Sequence, residues 1–123
     1  MLAIAKTVRT SPPRAPYKEI KRHILGSSFE LSLVFVGDAY MRRLNTQYRK
    51  KNRTTNVLAF PLSKTEGEIF INLSRAYKEA HGLGMSAKKY TAYLFAHACL
   101  HLKGYKHGEH MEAQEHAILK KYT

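Results

Sequence analysis

The chain has 123 residues, of which 44% are hydrophobic, with one cysteine and a formal charge of +12 from 21 basic and 9 acidic side chains. That length suits one domain over residues 1–123 that can bury a core without staples. No apolar run nears the roughly 20 residues of a membrane span, and an internal disulfide is excluded.

In chain order, residues 2–8 alternate enough to predict a first strand. The opening MLAIAKTVRTSPPR is short and soon charged, unlike a signal peptide. The prolines of 11–16 break structure, and Pro16 can open a short helix that ends at Gly26. FELSLVFVG at 29–37 reads as a strand. Asp38 is a good N-cap for a helix to about Tyr48, with Met41 and Leu44 inward. TNVLAF at 55–60, ended by Pro61, and GEIFINL at 67–73 read as two more strands. Ser74 is the expected cap of a helix over 75–82, closed by Gly82 and Gly84. Ser86 opens the main helix, 86–103, and a last helix covers 109–121. Four strands with interspersed helices predict an α+β domain, with one sheet and the 86–103 helix at its centre.

That main helix carries the most informative residues. HACLHLKGYKH at 97–107 spaces three histidines as H-x3-H-x2-G-x2-H. His97 and His101 are four apart, so they share one helix face about 40° apart around the axis. Gly104 can end the helix in a left-handed conformation, and the reversal can bring His107 to the same point. Three imidazoles leave one position open on a tetrahedral Zn2+, the catalytic rather than the closed structural arrangement. The bland alternative is a chance cluster. His110 competes with His107 as third ligand, whereas His23, His81 and His116 read as surface residues. Ala98 stands where a zinc peptidase of the H-E-x-x-H kind carries its general base, which argues against peptide hydrolysis. Cys99 falls about 200° around the helix from His97 and reads as a core residue.

The charge is unevenly placed. RRLNTQYRKKNR at 42–53 holds Arg42, Arg43, Arg49, Lys50, Lys51 and Arg53 without an acid. RNA is the natural partner of such a segment; the alternative is a solvated loop that serves solubility. Membrane is disfavoured, because no strong apolar face accompanies the basic run.

These residues resemble the YbeY family of bacterial rRNA-maturation factors, described as zinc-dependent endoribonucleases. The resemblance rests on LNTQYRKKNRTTNVLAFP at 44–61, GEIFIN at 67–72, HACLHLKGYKH at 97–107 and MEAQE at 111–115. It implies one Zn2+ held by His97, His101 and His107, and Arg49 as the functional arginine of the RNA cleft. It also implies single-strand cleavage in small-subunit (16S) rRNA maturation and ribosome quality control; the single cysteine fits a reducing, cytoplasmic setting. Lys50, Lys51 and Arg53 are then expected to hold the RNA backbone. The chain departs from the family at Lys106, where aspartate is usual, at Glu68 in place of aspartate and at Ala59 in place of serine. Lys106 and shortened loops motivate a second reading: a non-catalytic RNA-binding ribosome-assembly factor with a structural metal.

Overall fold

The computed structural model describes residues 1–123 and contains β1 (Leu2–Lys6), α1 (Tyr17–Leu25), β2 (Glu30–Val36), α2 (Asp38–Arg49), β3 (Val57–Pro61), β4 (Glu66–Asn72), α3 (Leu73–Gly82), α4 (Ala87–Lys103) and α5 (Glu109–Tyr122). The α+β reading holds: one four-stranded sheet runs in the order β1-β2-β4-β3. β1, β2 and β4 are parallel, and β3 returns antiparallel along the β4 edge, with Val57 opposite Ile71 and Phe60 opposite Glu68.

The alternating side chains of β2 and β4 put Leu31, Leu33, Phe35, Ile69 and Ile71 into the main core. Helices α1, α3, α4 and α5 contribute to the same core through Ile20, Ala76, Phe95 and Ile118. Val36, Met41, Leu58 and Phe70 form a smaller cluster, which places α2 on the opposite face. α4 is buried along most of its length, and its neighbours are α1, α3, α5, β3 and β4. A helix apolar nearly all round belongs at the centre of a fold, so its two histidines stand on the most constrained element of the chain. Gly67 of β4 permits that closeness: a Cβ there would meet Leu102 Cδ1 of α4 at 3.1 Å and Phe29 Cζ at 3.4 Å.

Several local expectations need correction. β1 stops at Lys6, because β2 ends at Val36 and turns into α2, leaving residues 7 and 8 without strand pairing beyond one bond from Thr7 N to Phe35 O. Asp38 is not the cap of α2; Gly37 occupies that position and Asp38 is the first helical residue. Ser74 does not cap α3 either, because the helix starts directly from the end of β4 with Asn72 as N-cap, its side chain accepting from Arg75 N. Both displaced residues give way to one knot. The buried Asn72 amide nitrogen lies 2.6 Å from Asp38 Oδ1, 3.0 Å from Thr54 Oγ1 and 3.2 Å from Thr55 O. Thr55 and Asn56 thereby belong to this knot, with Asn72 N also donating to Asn56 O at 2.8 Å, and β3 begins only at Val57. Pro61 lies inside β3, as an edge strand tolerates. No helix is long and apolar enough to cross a membrane.

Candidate metal centre

α4 begins at Ser86, whose side chain accepts from Lys89 N at 3.1 Å, and ends at Gly104 with φ +112°. The amide of Gly104 closes onto Leu100 O and His101 O, and that of Tyr105 onto Leu100 O. This left-handed stop turns the chain so that His107 comes back over the α4 surface. The ligand atoms of His97, His101 and His107 lie within 4.8 Å of one another. His97 Nε2 and His101 Nε2 are 3.2 Å apart. Two nitrogens each about 2.0–2.1 Å from one zinc at the tetrahedral angle stand about 3.3 Å apart, so the pair fits such an ion. His110 stays outside the cluster and stacks on Tyr105, with ring centroids 5.3 Å apart. His23, His81 and His116 are exposed, and His23 Nδ1 bonds the hydroxyl of Tyr122 at 2.9 Å. Cys99 is fully buried in the core, and that burial pushes its thiol pKa up.

Sequence reasoning missed Glu115. This residue of α5 is buried, and its Oε2 lies 2.6 Å from His97 Nδ1. A carboxylate only accepts, so Nδ1 carries the hydrogen and Nε2 presents its lone pair to the cluster. Metal-ligating histidines usually have such a partner, which fixes tautomer and ring orientation. Met111 and Ile118, one turn either side on the same helix, are buried in the core and hold Glu115 in place. Burial, and then the His97 and His107 rings, hold the His101 pKa below the ordinary imidazole value. A ring kept neutral near pH 7 is a ready ligand.

The three rings line one side of a cleft of about 760 Å³. β3, from Val57 to Phe60, and the end of α2 with Tyr48 and Arg49 line the same cleft. Arg49 and the histidines, 48 to 58 positions apart in sequence, thus border one space. Tyr48 is 61% exposed and rests against Phe60, ring centroids 5.3 Å apart. Lys51 and Arg53 line a smaller neighbouring cavity, together with Arg49, whereas Lys50 caps α2 in a left-handed conformation (φ +55°) and lines neither. Ala98 forms part of the cleft wall, with no carboxylate in its place.

The fold and this site define a class: an α+β protein with a three-histidine centre that could hold a metal, facing a cleft that Arg49 also lines. The family model described as Endoribonuclease YbeY matches residues 10–123, and the chain belongs to the YbeY family. The chain is 38% identical over 105 residues to the Endoribonuclease YbeY of Pelotomaculum thermopropionicum, covering 76% of this chain and 69% of that protein. It is 36% identical over 87 residues to that of Ehrlichia chaffeensis, covering 67% of this chain and 56% of that one. The solution structure of a Thermotoga maritima protein has the same fold, with a TM-score of 0.73 and 23% identity over 98% of this chain and 88% of that one.

Proposed function

We propose that residues 1–123 form one metal-dependent endoribonuclease domain that cleaves single-stranded RNA in small-subunit rRNA maturation and ribosome quality control in the cytoplasm. The observation that carries this reading is the shared cleft, which three imidazoles and Arg49 line together. The curated relatives of the same family are named endoribonucleases.

His97, His101 and His107 would hold one zinc ion. When bound there, zinc supplies Lewis acidity, polarising a phosphoryl oxygen and acidifying water. The chain's own residues do the rest. Glu115 keeps the His97 ring oriented by accepting its Nδ1 hydrogen. Arg49 offers a guanidinium fork to the non-bridging oxygens, where negative charge grows in the transition state. Tyr48, exposed at the cleft margin, can stack on an unpaired base. Lys51 and Arg53 attract the backbone and add no chemistry at the cut.

The competing reading, a non-catalytic assembly factor with a structural metal, draws on Lys106. Glu115 weakens it, because the orienting carboxylate absent at 106 has a counterpart on α5. The open cleft beside the histidines also favours a working rather than a sealed centre. Replacement of His101 by alanine separates the two. RNA cleavage by the purified His101→Ala protein should fall to background while its thermal transition remains cooperative. Cleavage at the native rate would place the activity elsewhere. A native protein that binds RNA, never cuts it and unfolds on chelation would establish the assembly-factor reading.

A further inference from the structure

Beside the metal cleft lies a second cavity of about 260 Å³ that no apolar side chain lines. Four cations border it: Arg49 from the end of α2, Lys51 and Arg53 from the following loop, and Arg75 from α3. None of the four has a carboxylate within 4.0 Å; the ion pairs of the chain are Met1 with Glu30 and His97 with Glu115. Glu79 is the one acid on the wall, and it already accepts from Asn56 Nδ2 at 3.1 Å and from the Tyr90 hydroxyl at 2.7 Å. Arg75 Nε is buried and has no hydrogen-bond partner. Four like charges collected around one polar hollow repel one another, so the arrangement is at its most stable with an anion inside.

The walls are also held in advance. Asn45, 2% exposed, donates from Nδ2 to Arg53 O at 2.9 Å. Lys51 N donates to Asn45 O at 3.2 Å, and Arg53 N to Lys51 O at 2.9 Å. The loop that carries Lys51 and Arg53 is therefore pinned to the end of α2, and Arg75 follows directly from the Asn72 knot at the start of α3. The backbone of both walls is thus fixed before any ligand arrives, which lowers the entropic cost of binding. Arg49 lines this cavity and the metal cleft alike. A polyanion lying across Arg49 can therefore reach the histidines and the cationic hollow together.

We propose that this cavity is a second phosphate subsite, in which Arg75, Lys51 and Arg53 hold a backbone phosphate flanking the scissile one and so set the position of the RNA strand over the metal centre. Arg75, which lies in none of the basic runs of the sequence, is its inner wall and a positioning residue. The proposal rests on the endoribonuclease reading above and adds a fixed register to it. It also separates the basic residues by role: Lys51 and Arg53 join a discrete site, and Lys50 stays outside.

The test uses a single-stranded RNA oligonucleotide with one defined cut and a set of copies, each with one phosphate replaced by a neutral methylphosphonate. With the full chain and zinc, neutralising one particular flanking phosphate should raise KM about tenfold, the loss of one charge-assisted contact, with little change in kcat. In Arg75→Ala that same substitution should lose its effect, while neutralisation elsewhere keeps its own. Arg75→Lys should restore part of the coupling, which a merely structural arginine would not do. Lys51→Ala, on an exposed loop, should uncouple the same phosphate and decides the matter if Arg75→Ala fails to fold. Coupling spread evenly over all phosphates in the native protein, or undiminished in both variants, overturns the subsite. If the native protein shows no metal-dependent cleavage, it is the endoribonuclease reading that fails. Affinity of the chelated protein for the same oligonucleotides, by fluorescence anisotropy, then judges the subsite alone: position-specific coupling sustains it and uniform coupling removes it.

Discussion

Glu115 and His97 are 18 positions apart in sequence on different helices, yet Oε2 of one lies 2.6 Å from Nδ1 of the other. Their bond decides which nitrogen of His97 faces the cluster. Glu115→Gln keeps the size of the side chain but loses the charge and can no longer offer two acceptor oxygens. The fold should survive, since Met111 and Ile118 anchor α5 independently. Metal affinity should drop about 10–100-fold. Competition with a chromophoric chelator measures it; unchanged affinity would mean that His97 is oriented by packing alone.

Arg49 should matter more to rate than to binding. If its guanidinium meets charge that appears only in the transition state, Arg49→Ala lowers kcat about 10²–10³-fold and moves KM less. Arg49→Lys should recover only part, because an ammonium lacks the planar fork. A loss confined to KM would make Arg49 another backbone contact.

Gly104 has φ +112°, and a Cβ added there would meet nothing within 4 Å, so Gly104→Ala introduces strain without a clash. The left-handed conformation should cost about 1–2 kcal/mol, read from urea denaturation. Because the same turn delivers His107, metal content should fall alongside stability. Full stability in Gly104→Ala would show that another backbone path leads to His107.

Asn72 ties α2, the 54–56 segment and α3 together, and Asn72→Ala removes both the cap of α3 and the partner of Asp38. A loss of about 2 kcal/mol is expected in urea. Asp38 adds a pH signature. The Asn72 hydrogen bond, joined by that of Thr54 and the charges of Arg75 and Lys78, outweighs desolvation and holds the Asp38 carboxyl below the usual aspartate range. A depressed folded pKa contributes stability that is present above about pH 4 and is lost as pH falls through the folded value. Asp38→Asn should therefore flatten the decline of stability below about pH 4 relative to the parent. An identical decline would mean that Asp38 titrates alike folded and unfolded.

Much of the site was legible because its key signals are local. Ser86, the four-residue histidine spacing and Gly104 are caps and periodicities that one helix and its stop obey in isolation. The sheet elements followed from short apolar runs. What lay hidden depends on contacts between distant segments. Glu115 entered only as the last residue of the MEAQE block at 111–115, with no role, since nothing near it in sequence says that α5 packs beside His97. Asp38 and Ser74 are good caps by type, but Asn72 outcompetes Ser74 by ending a strand where α3 begins, and draws the Asp38 carboxylate to itself. Arg75 stands alone in sequence and joins Lys51 and Arg53 only when α3 folds against the end of α2.

The central claim is most directly tested by metal analysis of protein purified without a histidine tag, paired with cleavage of single-stranded rRNA before and after chelation. The account predicts about one zinc per chain, cleavage abolished by the chelator and restored by zinc. Metal-free protein that cleaves RNA at an undiminished rate would contradict it.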